Sequence, residues 1–215
     1  SLKDPSRSTV IHSGIDTKKF LNADRSYLRN LLTRIEDETL IGNVAAITQQ
    51  KDYFTFVEAA ALIKNKKEKV HFVVVGDGDQ RLEIEQLVRE KGLKPHFTFL
   101  GYRKDVEEVL PGLDILMFSS EKEGLGTTLI DAMISGVPIV STRAGGIREL
   151  LEDRETAILA DVKDPTALAE GVMEMMDNKA LAQKLTNKAK DKAIDFDKHY
   201  MARNIYHVYR EVLGE

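Results

Sequence analysis

The chain has 215 residues, of which 42% are apolar and 31% charged, enough to bury a substantial core and too apolar for wholesale disorder. Its net charge of -4 gives no global attraction to nucleic acid or to an anionic membrane, so any phosphate site must be local. The absence of Cys excludes disulfides, thiolate metal sites and a cysteine nucleophile.

No apolar run approaches the ~18 residues needed to span a bilayer, and no signal-peptide pattern opens the sequence; the expected location is cytoplasmic. The chain opens on Ser1-Leu2-Lys3 rather than Met and is expected to be part of a longer protein.

In chain order, Thr9-Val10-Ile11 predicts a short strand closed by a Ser13-Gly14 turn. Residues 24–33 carry Tyr27, Leu28, Leu31 and Leu32 at helical spacing. An apolar run at 39–47, interrupted by Gly42-Asn43, predicts a buried strand, and residues 52–64 a helix with Phe54, Val57 and Ala61 on one face. Residues 70–75 are nearly continuous in apolar, largely β-branched side chains, the pattern of a parallel strand covered on both faces. After Gly76-Asp77-Gly78-Asp79 a helix runs to Gly92. Strands are expected at 97–100, 114–118, 138–141 and 157–160, with a short helix at 104–110, a helix at 126–135 and a short helical turn after Gly145-Gly146. Asp164-Pro165 reads as an N-cap with Pro at the first helical position. Beyond it the chain is helical, ending in a helix striped by Met201, Ile205, Val208, Tyr209 and Val212. Strands alternating with helices imply right-handed βαβ crossovers, hence an α/β, doubly wound parallel sheet of Rossmann-like type with C-terminal helices.

The stretch from Ser119 to Val140 holds the densest chemistry. An apolar strand ends in a polar loop, and Gly124-Leu125-Gly126 then opens a helix. Glycines let a backbone approach a ligand without Cβ interference, and Thr127 and Thr128 offer N–H and hydroxyl donors at a helix start, where anions bind. Glu123 and Asp131 are eight positions apart, too far to grip one atom but able to touch opposite ends of an elongated ligand. Their alternative roles are a favourable charge at the helix start and a solvated carboxylate. Lys51, before a helix at the same sheet edge, is a cation that could face a phosphate, and Gly101-Tyr102-Arg103 lies where a nucleobase could pack. At Gly76-Asp77-Gly78 the third Gly of a dinucleotide fingerprint is replaced by Arg81, which favours a plain tight turn over a nicotinamide site. The His residues are scattered and no metal-ligand spacing occurs; neither a nucleophile elbow nor a P-loop is present.

Taken together, the run 120–126, then Asp131-Ala132-Met133, Gly136-Val137-Pro138-Ile139-Val140-Ser141 and Gly145-Gly146-Ile147-Arg148-Glu149 resemble the signature of the group 1 retaining glycosyltransferases. Further matching pieces follow in the family's order: Val10-Ile11-His12-Ser13-Gly14-Ile15-Asp16, Lys51, Val75-Gly76-Asp77-Gly78 and Phe99-Leu100-Gly101. The resemblance implies the GT-B architecture, two Rossmann-like domains facing across a cleft. Residues 1–215 would form the nucleotide-sugar-binding one, with the last helix, about 198–213, reaching toward an N-terminal acceptor domain outside this chain. It implies roles as well. Glu123 would bind hydroxyls of the transferred sugar, and Gly124, Leu125 and Gly126 would line its pocket. Thr127 and Thr128 would lie near the phosphates, Asp131 would hold the ribose, and Lys51 would neutralise the diphosphate leaving group. Gly101, Tyr102 and Arg103 would meet the base. Neither cofactor nor metal is implied, and membrane contact would come only through the missing half if the acceptor is a lipid.

Two positions depart from the family pattern. The second acid is Asp131 rather than Glu, and Ala46 stands five residues before Lys51 where the family often has Arg. A nucleotide-sugar epimerase of the same architecture, or a non-catalytic scaffold, are the alternative readings.

Overall fold

The computed structural model describes residues 9, 11, 14–20, 24–32, 35 and 37–213. Six strands form one sheet: β1 (Thr39–Val44), β2 (Val70–Val75), β3 (Phe97–Gly101), β4 (Ile115–Phe118), β5 (Ile139–Thr142) and β6 (Ile158–Ala160). All pair in parallel, in the spatial order β3-β2-β1-β4-β5-β6. The order reverses between β1 and β4, and in open α/β sheets a crevice opens beyond the carboxyl ends of the strands at such a point.

The helices are α1 (Tyr27–Leu31), α2 (Tyr53–Lys66), α3 (Arg81–Glu90), α4 (Val106–Val109), α5 (Thr127–Ser135), α6 (Ile147–Leu150), α7 (Pro165–Asp177), α8 (Lys179–Ala193) and α9 (Lys198–Leu213). Alternation along each strand divides the core in two. Leu40, Val44, Val73, Leu116 and Phe118 face Leu28 of α1 and Leu129 and Met133 of α5. Ile41, Phe72, Val74, Ile115 and Met117 face Phe56 of α2, Ile84 of α3 and Leu168 of α7. Every residue of β2 is buried, as its β-branched run requires when helices cover both faces.

Asp164 caps α7, its carboxylate accepting from the Ala167 amide at 2.9 Å, and Pro165 occupies the first helical position, where a missing N–H costs nothing. Gly136 ends α5 at φ 68°, with the Val137 amide reaching back to the Ala132 carbonyl at 2.9 Å, a glycine stop of the Schellman type.

Several expectations shift. The strand expected at 39–47 ends at Val44; Gly42 lies within it, where a Cβ would sit 2.5 Å from Leu113 Cδ2. The helix expected at 24–33 is only the five-residue α1. The one expected at 104–110 is the single turn α4 running into a 3-10 turn, Leu110–Gly112, that carries Pro111. Thr9 and Ile11 lie in no strand, while Val10, His12 and Ser13 fall outside the described residues. The amino-terminal segment is instead tied to the other end of the domain, where Ile15 exchanges backbone hydrogen bonds of 2.9 Å with Phe196 and Lys198. Among the described residues no helix is long and apolar enough to cross a membrane.

Candidate functional site

Three loops converge beyond the carboxyl ends of β1, β4 and β5. The first follows β1 and includes the 3-10 turn Gln49–Lys51. The second, 119–126, joins β4 to α5. The third, 143–146, joins β5 to α6. The Gln50 carbonyl accepts from the amides of Glu121 and Lys122 at 2.8 and 3.3 Å, and Ser119 Oγ donates to the Lys51 carbonyl at 2.9 Å. The first two loops are thereby sewn together at the topological switch point.

That stitching brings Lys51 onto Glu123, an ion pair between Nζ and Oε2. The two side chains are only 22% and 12% exposed, so water screens their attraction weakly. Ser120 Oγ donates to the same Oε2 at 3.3 Å, leaving Oε1 without a partner among the described residues. Lys51 Nζ also lies 5.4 Å from the centroid of the Phe118 ring, within cation–π range. Beside the pair, Gly126 at φ 73° opens α5 with no side-chain cap, so the first amides of the helix stay available to a ligand. Leu125 packs on the core beneath, Thr127 is exposed, and Gly124 has nothing within 4 Å of where a Cβ would stand.

A cleft of about 330 Å³ runs alongside, walled by Ala45, Ala46, Gly76, Tyr102, Arg103, Val106, Thr128 and Asp131. Burial pushes the Asp131 carboxyl up to about 6; the nearby Glu107 carboxylate adds to the rise and Lys19 opposes it. The structure therefore groups the expected residues in two sets, Lys51 with Glu123 at the switch point and Thr128 with Asp131, Tyr102 and Arg103 along the cleft. Gly101, at φ 69°, turns the chain out of β3 so that the exposed Tyr102 stands at the rim. Arg103 already has partners. Its Nε and Nη2 donate to the two oxygens of Asp105 at 2.9 and 2.5 Å, and Tyr27 donates its hydroxyl to Asp105 at 2.8 Å. Arg103 first, then Tyr27, hold the Asp105 carboxyl down to about 2. Ala46 lies in the cleft wall, so the position where the family often carries Arg presents only a methyl group. Among the described residues no group of His, Asp and Glu side chains is arranged to hold a metal ion.

Sequence reasoning missed the supports of this site. Asp52, beside Lys51, adopts φ 44° and caps α2. Thr142 and Gly146 hold the 119–126 loop from the β5 side. These residues act through the backbone, and the only hint in the sequence is the Gly-Gly pair after a strand.

Comparison with known proteins agrees with this fold. Residues 24–192 match the family model described as glycosyl transferases group 1. The N-acetyl-alpha-D-glucosaminyl L-malate synthase of Bacillus anthracis is 27% identical over 207 residues, covering 96% of this chain and 54% of that protein. HepE of Anabaena, solved in complex with UDP, superposes with a TM-score of 0.88 at 23% identity, over 94% of this chain and 57% of its own. The C-terminal domain of a group 1 glycosyl transferase from Francisella tularensis gives a TM-score of 0.74 at 27% identity, over 84% of this chain and 97% of the solved domain. The chain spans about half the length of the curated relatives it matches.

Proposed function

The chain belongs to the glycosyl transferases of group 1, and from that premise we propose that it is the donor-binding domain of an enzyme moving a sugar from a nucleotide diphosphate sugar to an acceptor hydroxyl, with retained configuration and without a metal. The observation that carries this reading is the meeting of Lys51 and Glu123 at the switch point, beside the open amino terminus of α5.

Lys51 and the α5 amides together face where a diphosphate would lie, and fixed positive charge there stabilises a departing nucleotide. Oε1 of Glu123, without a partner among the described residues, accepts from sugar hydroxyls. Thr127 and Thr128 lie near the phosphates, Asp131 holds the ribose, and Gly101, Tyr102 and Arg103 border the base. In the reaction the bond from sugar C1 to the diphosphate oxygen breaks. The acceptor oxygen bonds to C1 on the same face, and its proton passes to the leaving phosphate oxygen. The acceptor site belongs to an N-terminal domain outside this chain, in keeping with relatives of about twice its length. The exposed Tyr206, Tyr209, Val212 and Leu213 of α9 are the apolar surface offered to that domain. The protein works in the cytoplasm and touches a membrane only through that second domain.

Calorimetry of this chain against UDP-glucose, GDP-mannose and ADP-glucose tests the reading. Saturable binding of one of them, weakened at least tenfold by Lys51→Ala, supports it. Absence of heat with all three favours a non-catalytic scaffold, and interconversion of the bound sugar without acceptor favours an epimerase.

A further inference from the structure

The geometry points to Thr142 and Gly146 as positioning residues that set Glu123 against the donor sugar by bracing its loop from behind. The inference rests on the role proposed for Glu123. Thr142 ends β5, and its Oγ1 donates to the Ser120 carbonyl at 2.5 Å. Four residues on, the Gly146 amide donates to the Glu123 carbonyl at 3.1 Å.

The contact between the two turns is as close as backbones permit. A Cβ at Gly145 would lie 2.1 Å from the Glu123 carbonyl oxygen, and one at Gly146 would lie 1.7 Å from that of Gly124. Both obstacles are backbone atoms, which cannot swing aside as a side chain can. Gly145 also adopts φ 48°, a conformation costly for other residues. On the opposite side the same loop hangs from the Gln50 carbonyl through the Glu121 and Lys122 amides. Its remaining face is open, since nothing lies within 4 Å of a Cβ at Gly124. The loop is thus clamped on two sides and free on the third. That arrangement fixes the carboxylate of Glu123 before a ligand arrives, so the sugar need not order it on binding.

Bracing makes a distinction that general stability does not. Loosening the β5 side moves Glu123 while leaving Asp131 and the cleft wall in place, so the contribution of the sugar to affinity falls and that of the nucleotide stays. The experiment measures, for wild type, Thr142→Val, Thr142→Ser and Gly146→Ala, the affinity of whichever of UDP-glucose, GDP-mannose or ADP-glucose binds, and of its bare nucleoside diphosphate. Hydrogen exchange at the Glu121 and Lys122 amides is read in the same samples, with β2 amides as the folding control. Thr142→Val is expected to weaken the nucleotide sugar about fivefold without weakening the diphosphate, and Thr142→Ser to restore wild-type affinity, a loss of the size that one hydrogen bond gives. Gly146→Ala is expected to erase the difference between the two ligands. Both damaging variants speed exchange of the two loop amides and leave β2 protected. Equal weakening of both ligands, or unchanged exchange in the loop, overturns the inference. A wild-type protein that binds the diphosphate and its sugar equally well overturns instead the role proposed for Glu123, and loop exchange then decides the bracing alone.

Discussion

Lys51 and Glu123, 72 positions apart, form an ion pair, so each of the two groups proposed to meet the donor already has the other as a partner. On the proposed roles, a nucleotide sugar would replace both halves of that pair, giving phosphate oxygens to the lysine and hydroxyls to the carboxylate. A bare nucleoside diphosphate replaces only one half. It must pull Lys51 away and leave Glu123 unpaired in a site where its side chain is 12% exposed, which costs free energy. Glu123→Gln should therefore bind the bare diphosphate about three- to tenfold more tightly than wild type while losing the preference for the sugar nucleotide. In a Lys51→Ala background the gain should vanish. Calorimetry on the four members of that cycle checks it, and weaker diphosphate binding by Glu123→Gln would show that the pair assists the lysine instead of occupying it.

Gly124 and Gly146 have opposite surroundings although both belong to Gly-rich turns: a Cβ at Gly146 would lie 1.7 Å from a backbone oxygen, and one at Gly124 would meet nothing within 4 Å. The space around Gly124 is empty in the protein itself and its φ is not in the left-handed region, so the fold does not require a glycine there. Gly124→Ala should leave the unfolding free energy within about 0.5 kcal/mol of wild type and weaken the sugar nucleotide at least tenfold by standing where the sugar is proposed to lie. Thermal unfolding paired with titration checks this, and an alanine that binds the donor normally would remove Gly124 from the pocket.

Asp131 gives the pH dependence. Burial holds its carboxyl in the folded protein up to about 6, above the ordinary carboxylate value of 3.8, so between those values the folded protein holds a proton that the unfolded chain has released. Stability from this group is full below the unfolded value and is lost as pH rises through about 6. Asp131→Asn should accordingly be more stable than wild type at pH 7.5, by roughly 1–3 kcal/mol, with the advantage disappearing near pH 4. The same change should weaken nucleotide binding. Denaturant midpoints across pH check the first part, and an advantage that persists at low pH would show another cause. Glu107 and Lys19, which face Asp131 from α4 and from the 3-10 turn Thr17–Phe20, would be the next groups to vary.

Much of this was legible in the residues, and the exceptions share a cause. β2 is readable because a β-branched run buried on both faces has few other uses, and α7 because its cap and proline are local signals. The motif from Glu123 to Asp131 is likewise a local pattern. The pairing of Lys51 with Glu123 is not local: spacing suggests separate roles for them, and only the parallel order β1-β4 brings their loops together. The brace from Thr142 and Gly146 is invisible for a related reason, since it works through carbonyls and amides that every residue carries. Short elements such as α1 and α4 were misjudged in extent because one turn of helix has too few positions to establish a period.

Asp52 supplies the last prediction, because it combines a strained backbone with a cap. At φ 44° and ψ 58° it occupies the left-handed region, which costs a side chain about 1 kcal/mol. Its carboxylate offsets that cost by accepting from the Thr55 amide at 3.2 Å and from the Thr55 hydroxyl at 2.6 Å, starting α2 two residues after Lys51. Three substitutions separate the effects. Asp52→Asn keeps both the cap and tolerance of the conformation, and should be within about 0.5 kcal/mol of wild type. Asp52→Gly relieves the backbone and loses the side-chain cap, so the two changes nearly cancel. Asp52→Ala loses the cap and keeps the strain, and should cost about 1–2 kcal/mol. Thermal unfolding of the three orders them. If Asp52→Ala proves as stable as Asp52→Gly, the left-handed turn carries no strain, and Lys51 is held by the Ser119 hydrogen bond to its carbonyl rather than by the start of α2.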